Sequence, residues 1–459
     1  MISRYRFAWR LLLAACFLGS PSACFAQVAG SATPAPVATD APSALTADQP
    51  YAVHAQSTFV GQGNFAFRAP YEGANSLDGG GDLRETFDVT LFAGVKPWSG
   101  AELWINPEID QGFGLRNTLG AAGFPSAEAY KVGKKNPYLR LQRLFFRQTI
   151  DLGGAAEHVE SAANQLAGTR KVDRVVLTMG KLSVVDIFDQ NKYAHDPRAD
   201  FLNWTAVDAG SFDYAADAWG YTYGAAAELY TGRFTFRAGL FNLSKVPNDV
   251  RLETNFRQYQ IDGEVEERHT IAGRPGAIRV TGFVSHGNFA KLDDAVALAK
   301  ITGLPIDNAL VRAFRNRIGI SINAEQEVSD TVGVFLRAGV TDGSIEAIEF
   351  TDIDRTISGG ISLAGSSWGR PQDRVGVALI ANGISPTRER FLAAGGLGIL
   401  VGDGRLPHPG TEFIAETYYD LAAIGPLRVA VDGQLIVNPA YNRDRGPVPI
   451  IGARVHAQF

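Results

Sequence analysis

One pattern runs through almost the whole chain: short segments in which apolar and polar residues alternate one for one. In residues 83–96, for example, Phe87 and Val89 alternate with Asp88 and Thr90. Successive side chains of a β-strand point to opposite faces, so each segment predicts a strand with one apolar and one polar face. After residue 26 no apolar run reaches the ~18 residues that a membrane helix needs. The chain is therefore predicted to be all-β.

The connections between these segments alternate in length. Links after even-numbered strands are mostly short, such as Ser99-Gly100 and Thr231-Gly232, whereas links after odd-numbered strands are mostly long. The segment 153–171 breaks this rule, and its composition suggests an insertion. The sixteen candidate strands lie near 53–67, 83–97, 101–110, 138–152, 172–182, 219–231, 233–243, 258–268, 277–287, 316–327, 331–341, 356–365, 373–382, 411–421, 426–437 and 448–459.

Two architectures give strands one apolar and one polar face: a soluble sandwich and a membrane barrel. Composition is uniform over 51–459 with no interior linker. A segment of this length is unusual for one soluble core, but a closed barrel can accommodate it. Short turns at one end, long loops at the other and an even strand count are typical of the membrane form. We therefore predict a transmembrane antiparallel β-barrel of about 16 strands. Its short turns would be periplasmic and its long loops extracellular, some of them folded into the lumen.

The first residues predict export. Residues 1–26 combine three arginines, a short apolar core and small residues before a cleavage point after Ala26, which is the pattern of a secretory signal peptide. Lipidation at Cys16 is the alternative interpretation. Residues 27–50 are rich in Ala and Pro and predict a flexible lead-in, so the barrel domain is 51–459. Cleavage would remove both cysteines and change the formal net charge from −5 to −8.

The last strand places the chain in the bacterial outer membrane. Ile451, Val455 and Phe459 share one face, and Arg454 and His456 share the other. A terminal strand of this kind predicts lipid as one partner and the barrel-assembly machinery, through Phe459, as another. The mildly acidic mature chain argues against nucleic acid as a partner. The pattern does not decide between a monomer and a homotrimer.

The polar faces carry both signs of charge in comparable number, which suits a neutral, polyhydroxylated solute better than an ion. The alternative is that these charges pair across the lumen and only hold its shape. Two long segments, 106–125 and 186–223, mix Asn, Asp, Arg and aromatic residues near turns, and predict inward-folded loops or else external loops without ligand contact. The pore-lining candidates are Arg84, Asp88, Glu102, Trp104, Asn106, Glu108, Asp110, Arg143, Arg147, Asp196, Arg198, Asn203 and Trp204.

Patterns typical of enzymes are missing from the sequence. It has no phosphate-binding Gly-rich loop with its Lys, no HExxH and no Cys/His cluster, so we predict no catalytic residue, cofactor or metal. A lipid-facing hydrolase would need a serine near His286, but the adjacent Ser285 points to the opposite face. The patch from Leu292 to Ile301 predicts a short helix packed within a loop.

Several short stretches carry a resemblance to a known family: Asn106-Pro107-Glu108, Gln111-Gly112, Gly114-Leu115, Arg147-Gln148-Thr149, Asn164-Gln165-Leu166-Ala167-Gly168, Gly180-Lys181, Phe188-Asp189, Tyr193-Ala194-His195-Asp196-Pro197-Arg198, Phe201-Leu202-Asn203-Trp204, Trp368-Gly369-Arg370-Pro371, Gly402-Asp403-Gly404-Arg405-Leu406 and Ile436-Val437-Asn438-Pro439-Ala440-Tyr441-Asn442-Arg443-Asp444-Arg445-Gly446-Pro447. With these stretches the chain resembles the carbohydrate-selective outer-membrane porins of the OprB type. The resemblance covers 51–459 and implies a sixteen-stranded barrel that passes mono- or oligosaccharides by diffusion through a loop-narrowed channel. It implies no catalytic residue and does not say which sugar is preferred. A general diffusion porin, a barrel hydrolase and a polysaccharide outlet with a plugged lumen are the alternatives.

Overall fold

The computed structural model describes residues 48–129 and 133–459, and these form a closed barrel of sixteen strands. The predicted signal peptide and most of the predicted lead-in lie outside the described residues. The strands are β1 Tyr51–Asn64, β2 Asp82–Val95, β3 Ala101–Gly112, β4 Lys134–Val159, β5 Gly168–Leu182, β6 Thr222–Thr231, β7 Phe234–Asn242, β8 Tyr259–Ile271, β9 Arg274–Ala290, β10 Arg312–Ser329, β11 Val332–Thr341, β12 Arg355–Ala364, β13 Arg374–Gly383, β14 Glu412–Ile424, β15 Leu427–Val437 and β16 Val448–Gln458.

Every strand pairs antiparallel with its neighbours in sequence, and β1 closes the ring against β16. In that closing pair Phe59 lies opposite Val455. Beyond it, the backbone N–H of Phe459 donates to the carbonyl of Ala55 over 2.8 Å. Closure satisfies the backbone groups that an open sheet edge would leave unpaired, which is what a strand in lipid requires. The predicted all-β barrel is confirmed.

The two faces of the wall differ as the alternation predicts. Large apolar side chains cover the outer face and are exposed in the isolated chain, as at Leu83 (68%) and Leu379 (66%). Charged and amide side chains occupy the inner face and are buried; Arg317 and Arg337 have no exposed surface. Lipid covers such an apolar band in a membrane barrel. No helix among the described residues has the length and hydropathy of a membrane span.

Connections at the two ends of the barrel separate cleanly by length. At one end they have from two to nine residues, as at 232–233, and at the other end from 10 to 39 residues, as at 183–221. The long connections carry three α-helices of the described residues: α1 Trp204–Val207, α2 Leu292–Thr302 and α3 Pro386–Ala393. Helix α2 confirms the helix predicted from Leu292. The short end is the periplasmic one, because an even strand count returns both chain ends there.

The interpretation of 153–171 as an insertion is wrong. Strands β4 and β5 continue through most of it and leave only residues 160–167 as a turn. The pairing shifts register at Gly153 and Gly154, and Gly154 has a φ of +80°, which residues with a Cβ rarely adopt. The glycines that made the segment look like a loop therefore form a β-bulge inside a long hairpin.

Several long connections fold into the barrel rather than away from it. The backbone N–H groups of Ala122 and Gly123 donate to the carboxylate of Glu412 on β14 over 3.0 and 2.8 Å. A buried loop must satisfy its backbone polar groups, and inward carboxylates of the wall supply the acceptors. This explains part of the charge on the inner face. Of the inward loop predicted at 106–125, only residues 113–125 form a connection, since 106–112 belong to β3.

Candidate functional site

The connection 183–221 crosses the lumen and is bound to the far wall along its length. Asn191 donates to Asn323 of β10 over 2.7 Å, and Arg454 of β16 donates to the carbonyl of Pro197 over 2.6 Å. The N–H of Leu202 donates to Glu416 of β14 over 2.5 Å. We call residues 183–221 the inward loop. These contacts are with strands β10, β14 and β16 on one side of the barrel. The other surface of the inward loop faces the opposite wall, β1 to β6.

Two buried ion pairs anchor the inward loop. Asp189 lies 3.1 Å from the guanidinium of Arg337 on β11, and both side chains are fully buried. Asp213 pairs with Arg317 of β10 and also accepts N–H donors from residues 348–350 of another inward connection. Paired and hydrogen-bonded charges can be buried at tolerable cost, whereas removing one partner would leave an uncompensated buried charge. These pairs hold the loop in one position.

On its other surface the inward loop brings one arginine into a group of carboxylates. Arg198 lies 3.6 Å from Asp88 of β2, 3.6 Å from Glu108 of β3 and 3.2 Å from Glu128 of the connection 113–133. Glu108 is positioned by Thr90, which donates to it over 2.5 Å. We call Arg198 with Asp88, Glu108 and Glu128 the Arg198 cluster. It joins the inward loop to the wall and so narrows the lumen at this level.

A second bridge lies beside the cluster. Arg143 of β4 donates to both carboxylate oxygens of Asp186 over 2.6 and 2.8 Å, and its guanidinium lies 5.0 Å from the ring of Tyr221. Burial alone would raise the pKa of Asp186, but Arg143 and the N–H of Ser183 hold it below its ordinary value. Asp186 is therefore ionised at neutral pH and the bridge is a charged one.

Two loop carboxylates around Arg198 differ in their proton affinity. Burial raises the pKa of Glu128 despite the nearby guanidinium of Arg198. Burial would also raise the pKa of Asp196. The guanidinium and the backbone N–H of Arg198 instead hold the pKa of that carboxyl below its ordinary value. A fixed arginine with carboxylates of unequal acidity gives a site in which hydrogen-bond donors and acceptors lie side by side.

Below the cluster, on the periplasmic side, lies a cavity of about 740 Å³. Glu102 of β3 lines this cavity. Glu108 of the Arg198 cluster lies further along the same strand, about 20 Å from Glu102 at the rise per residue of a β-strand. Asp186 and His195 of the inward loop line one side and residues 163–169 of the β4–β5 hairpin the other. We call it the inner chamber. Its five acidic and five basic lining residues balance: Asp48, Glu102, Asp151, Asp186 and Glu228 against Lys96, Arg147, Arg170, Arg174 and Arg237.

The structure brings most of the sequence-predicted residues to these two places. Asp88, Glu108 and Arg198 form the cluster, while Asp110 is joined to Glu108 through the amide of Gln142, which donates to both. Asp196 lies two residues before Arg198 in the inward loop, and its carboxylate accepts the backbone N–H of Arg198 over 2.9 Å. Glu102 and Arg147 line the inner chamber and lie 3.7 Å apart.

Other predicted residues lie elsewhere. Arg84 is at the extracellular end of β2, half exposed, and pairs with Asp82 at 3.0 Å. Trp104 is buried and donates to Glu102 over 2.7 Å, and Asn106 is buried beside it on β3. Asn203 caps α1 by accepting the N–H of Thr205.

Trp204 is also placed in the packed interior. Its ring stacks on Phe124 with centroids 5.3 Å apart. Asn203 and Trp204 therefore brace the inward loop rather than line the cluster or the chamber, because their polar and aromatic atoms are already engaged within the interior.

Sequence reasoning missed two residues of the site. Asp186 stands at the start of a segment that the sequence singled out, and an acidic residue there could have been included. Glu128 lies in a connection without strand periodicity, so the alternation offered no signal for it. Its approach to Arg198 depends on two connections folding inward together.

The sequence profile of the carbohydrate-selective porin family, OprB, matches residues 74–459. The chain belongs to this family. The resemblance seen in its motifs is thereby confirmed, and the protein is a porin of the bacterial outer membrane. No curated protein sequence matches this porin closely enough to count as a relative.

Solved structures of other outer-membrane channels are similar to this chain to different degrees. The high-pH structure of OprB from Pseudomonas putida superposes with a TM-score of 0.69 at 16% identity, covering 89% of this chain and 94% of that one. The outer-membrane channel DcaP of Acinetobacter baumannii gives a TM-score of 0.49 at 10% identity, covering 90% of this chain and 98% of that one. At these identities the first likeness supports the fold of this porin and nothing finer.

Proposed function

We propose that this porin passes neutral mono- or oligosaccharides into the periplasm by diffusion, along a path through the Arg198 cluster and the inner chamber. The observation that carries the proposal is the reach of Arg198 across the lumen to Asp88, Glu108 and Glu128. This contact makes the path polar on both sides at the level where the inward loop meets the wall.

Hydrogen-bond donors and acceptors that lie side by side suit an uncharged, polyhydroxylated solute. Arginine presents several N–H donors and carboxylates present acceptors, so both can bind the hydroxyls of a sugar. Because the signs are balanced in the inner chamber, neither a cation nor an anion gains from entering it. A sugar can exchange its water hydrogen bonds for those of the wall as it moves, without a large barrier or a deep trap.

We infer that the protein acts as a channel and not as an enzyme. In the hydrolase alternative, His286 would need a serine from a neighbouring strand on the lipid-facing side. Its Nδ1 instead lies 2.7 Å from Oδ1 of Asn316 on β10, and its ring lies between Tyr259 and Phe314. Ser285 is on the inner face, where Gln260 donates to it.

The test is single-channel recording of the purified porin in planar bilayers with sugar added in steps. Glucose, maltose and maltotriose serve as probes, and at least one should reduce the ion current reversibly. Arg198→Gln and Glu108→Gln should change the concentration at which the current is halved. Arg84→Gln, at the half-exposed end of β2, is the matched control. Ion conduction without block by any sugar would mean a general diffusion porin.

Assembly into the membrane is a separate part of the proposal. Phe459 follows β16 at the periplasmic end, and its backbone pairs with Ala55 while the residue as a whole is 69% exposed. An exposed terminal aromatic ring is accessible to the barrel-assembly machinery. Phe459→Ala should slow the appearance of folded porin in the outer membrane, measured by heat-modifiable migration on gels after pulse labelling. An unchanged rate would remove Phe459 from that role.

A further inference from the structure

The tip of the β4–β5 hairpin, residues 160–167, folds back over the periplasmic mouth of the barrel. Ser161 Oγ lies 3.0 Å from Nε2 of His54 on β1. Arg147 donates to the carbonyl of Asn164 over 2.8 Å, and the N–H of Gln49 donates to the carbonyl of Ala167 over 3.1 Å. The tip is therefore attached both to its own side of the wall and to strand β1.

Leu166 fixes the tip from within. It is 6% exposed and packs in an apolar cluster with one residue from each of four adjacent strands: Ala52, Phe92, Trp104 and Phe145. These residues lie on the otherwise polar inner face, so the cluster would be exposed to water inside the lumen if Leu166 were withdrawn. Burial of this apolar surface favours the docked tip over a tip that extends into the periplasm.

A turn of this length is not needed to connect two strands. Four of the other periplasmic connections use two residues, as at 232–233. Residues 163–169 instead form the floor of the inner chamber, whose other sides are the wall and the inward loop. Its volume of about 740 Å³ falls within the ~300–1,000 Å³ of small-molecule binding sites.

We propose that the inner chamber is a sugar-binding site on the periplasmic side of the Arg198 cluster, and that the hairpin tip is the floor that retains the sugar. This inference rests on the proposed function and adds a second binding place to it. The class of ligand is a neutral mono- or disaccharide.

The chemistry of the lining supports that class. Arg147 lies 3.7 Å from Glu102, and Arg237 lies 3.0 Å from Glu228, so donors and acceptors stand side by side at two places on the wall. Tyr230 also lines the chamber, where its hydroxyl donates to Glu228 over 2.8 Å and the guanidinium of Arg174 lies 3.9 Å from its ring. Paired donors and acceptors match adjacent sugar hydroxyls. Charged solutes meet no excess of the opposite sign.

The direct test removes the floor and leaves the Arg198 cluster intact. Val159 and Gly168 are paired in register, so residues 160–167 can be replaced by Asn-Gly, which closes a two-residue hairpin turn. The variant and the wild-type porin are compared in planar bilayers with glucose, maltose or maltotriose added from the periplasmic side. We expect the dissociation constant for current block from that side to rise by about tenfold or more, with unchanged or higher ion conductance.

A point variant guards against misfolding of the shortened hairpin. Leu166→Ser keeps the turn but weakens its docking into the apolar cluster, and it should raise the same dissociation constant by a smaller factor. Arg274→Gln is the matched control, because it breaks an exposed pair with Asp330 at the periplasmic end, away from the chamber lining. Its block constant should equal that of the wild type.

The outcomes separate this inference from the proposed function. If the wild-type porin is blocked by sugar and neither variant changes the block from the periplasmic side, the chamber is not a binding site while the proposed function stands. If no sugar blocks the wild-type porin from either side, the proposed function fails and the chamber with it. A weaker block in both floor variants and not in Arg274→Gln supports the chamber.

Discussion

Arg198 Nη2 lies 3.6 Å from Oε2 of Glu108, although one residue belongs to the inward loop and the other to the middle of β3. Asp88 and Glu128 lie within 3.6 and 3.2 Å of the same guanidinium. One cation thus faces three carboxylates at the level where the loop meets the wall. The local charge, and with it the ion preference of the channel, depends on this one arginine.

Arg198→Gln should make the channel prefer cations. The substitution removes the positive charge and leaves the carboxylates, so the potential at the constriction becomes more negative. We expect the ratio of potassium to chloride permeability to rise at least about twofold. The measurement is the reversal potential in a KCl gradient across a planar bilayer. Arg84→Gln also removes one positive charge but at the half-exposed end of β2, and it should leave the ratio unchanged.

Glu108→Gln should act in the opposite direction. It removes one of the carboxylates near Arg198 and keeps a side chain that can still accept from Thr90. The ratio of potassium to chloride permeability should therefore fall. If both substitutions moved the reversal potential in the same direction, charge at the Arg198 cluster would not control ion preference.

Asp189→Asn should loosen the inward loop. It leaves the guanidinium of Arg337 buried without its charged partner, and breaking a buried pair costs about 3–5 kcal/mol. We expect a lower free energy of unfolding in urea with lipid vesicles, together with larger current fluctuations as the loop leaves its place. Asp330→Asn breaks an exposed pair with Arg274 and should change neither quantity, since exposed pairs contribute little.

Docking of α1 should strengthen on mild acidification. Burial, with the nearby charge of Asp189, raises the pKa of Asp208 from 3.8 to about 6, although His195 lowers it. The docked loop therefore binds this proton more tightly than the undocked chain, and docking gains stability as pH falls through about 6 and loses it as pH rises.

Hydrogen exchange tests this pH dependence. Amide protection of residues 204–208, corrected for the intrinsic exchange rate, should be greater at about pH 5 than at about pH 7.5. Asp208→Asn should remove the difference. An equal difference in that variant would show that Asp208 is not the group responsible.

An arginine on the outer face should lower the free energy of unfolding of the barrel, and it should lower it more when it lies nearer the bilayer centre. Leu379 lies in the middle of β13 and is 66% exposed, so Leu379→Arg places a charge near the bilayer centre at a cost of about 2–4 kcal/mol. Leu83, at the extracellular end of β2, is equally exposed, and Leu83→Arg should cost about 0–1 kcal/mol. Urea unfolding in lipid vesicles measures both. Equal costs would contradict the assignment of the outer face to lipid.

The direction in which strand residues point, into the lumen or out of it, was predicted better than the contacts of residues in connections. The alternation around Asp88 and Glu108 places both on the inner face, and the structure agrees. Asn203 and Trp204 have the composition of a ligand-binding loop, but they cap and pack α1 instead. A polar residue beside an aromatic one looks the same in sequence whether its atoms meet a ligand or another part of the chain. Only their contacts distinguish the two.

The hairpin of β4 and β5 shows a second limit. Gly153 and Gly154 interrupt the alternation, so the sequence predicts an insertion where the structure has a bulged strand. A bulge shifts the alternation by one residue. A prediction that depends on strict alternation therefore does not recognise that the strand continues past that point.

The sequence by itself determined the sixteen strands, the face that each presents to lipid and the alternation of short and long connections. These follow from period two, which is a local property of each strand and survives without knowledge of its neighbours. Only the tertiary structure decided that Arg198 meets Glu108, that the inward loop binds the far wall and that the hairpin tip closes the inner chamber. Those contacts join segments far apart in sequence, and their geometry depends on the closed ring, which brings distant strands to face one lumen.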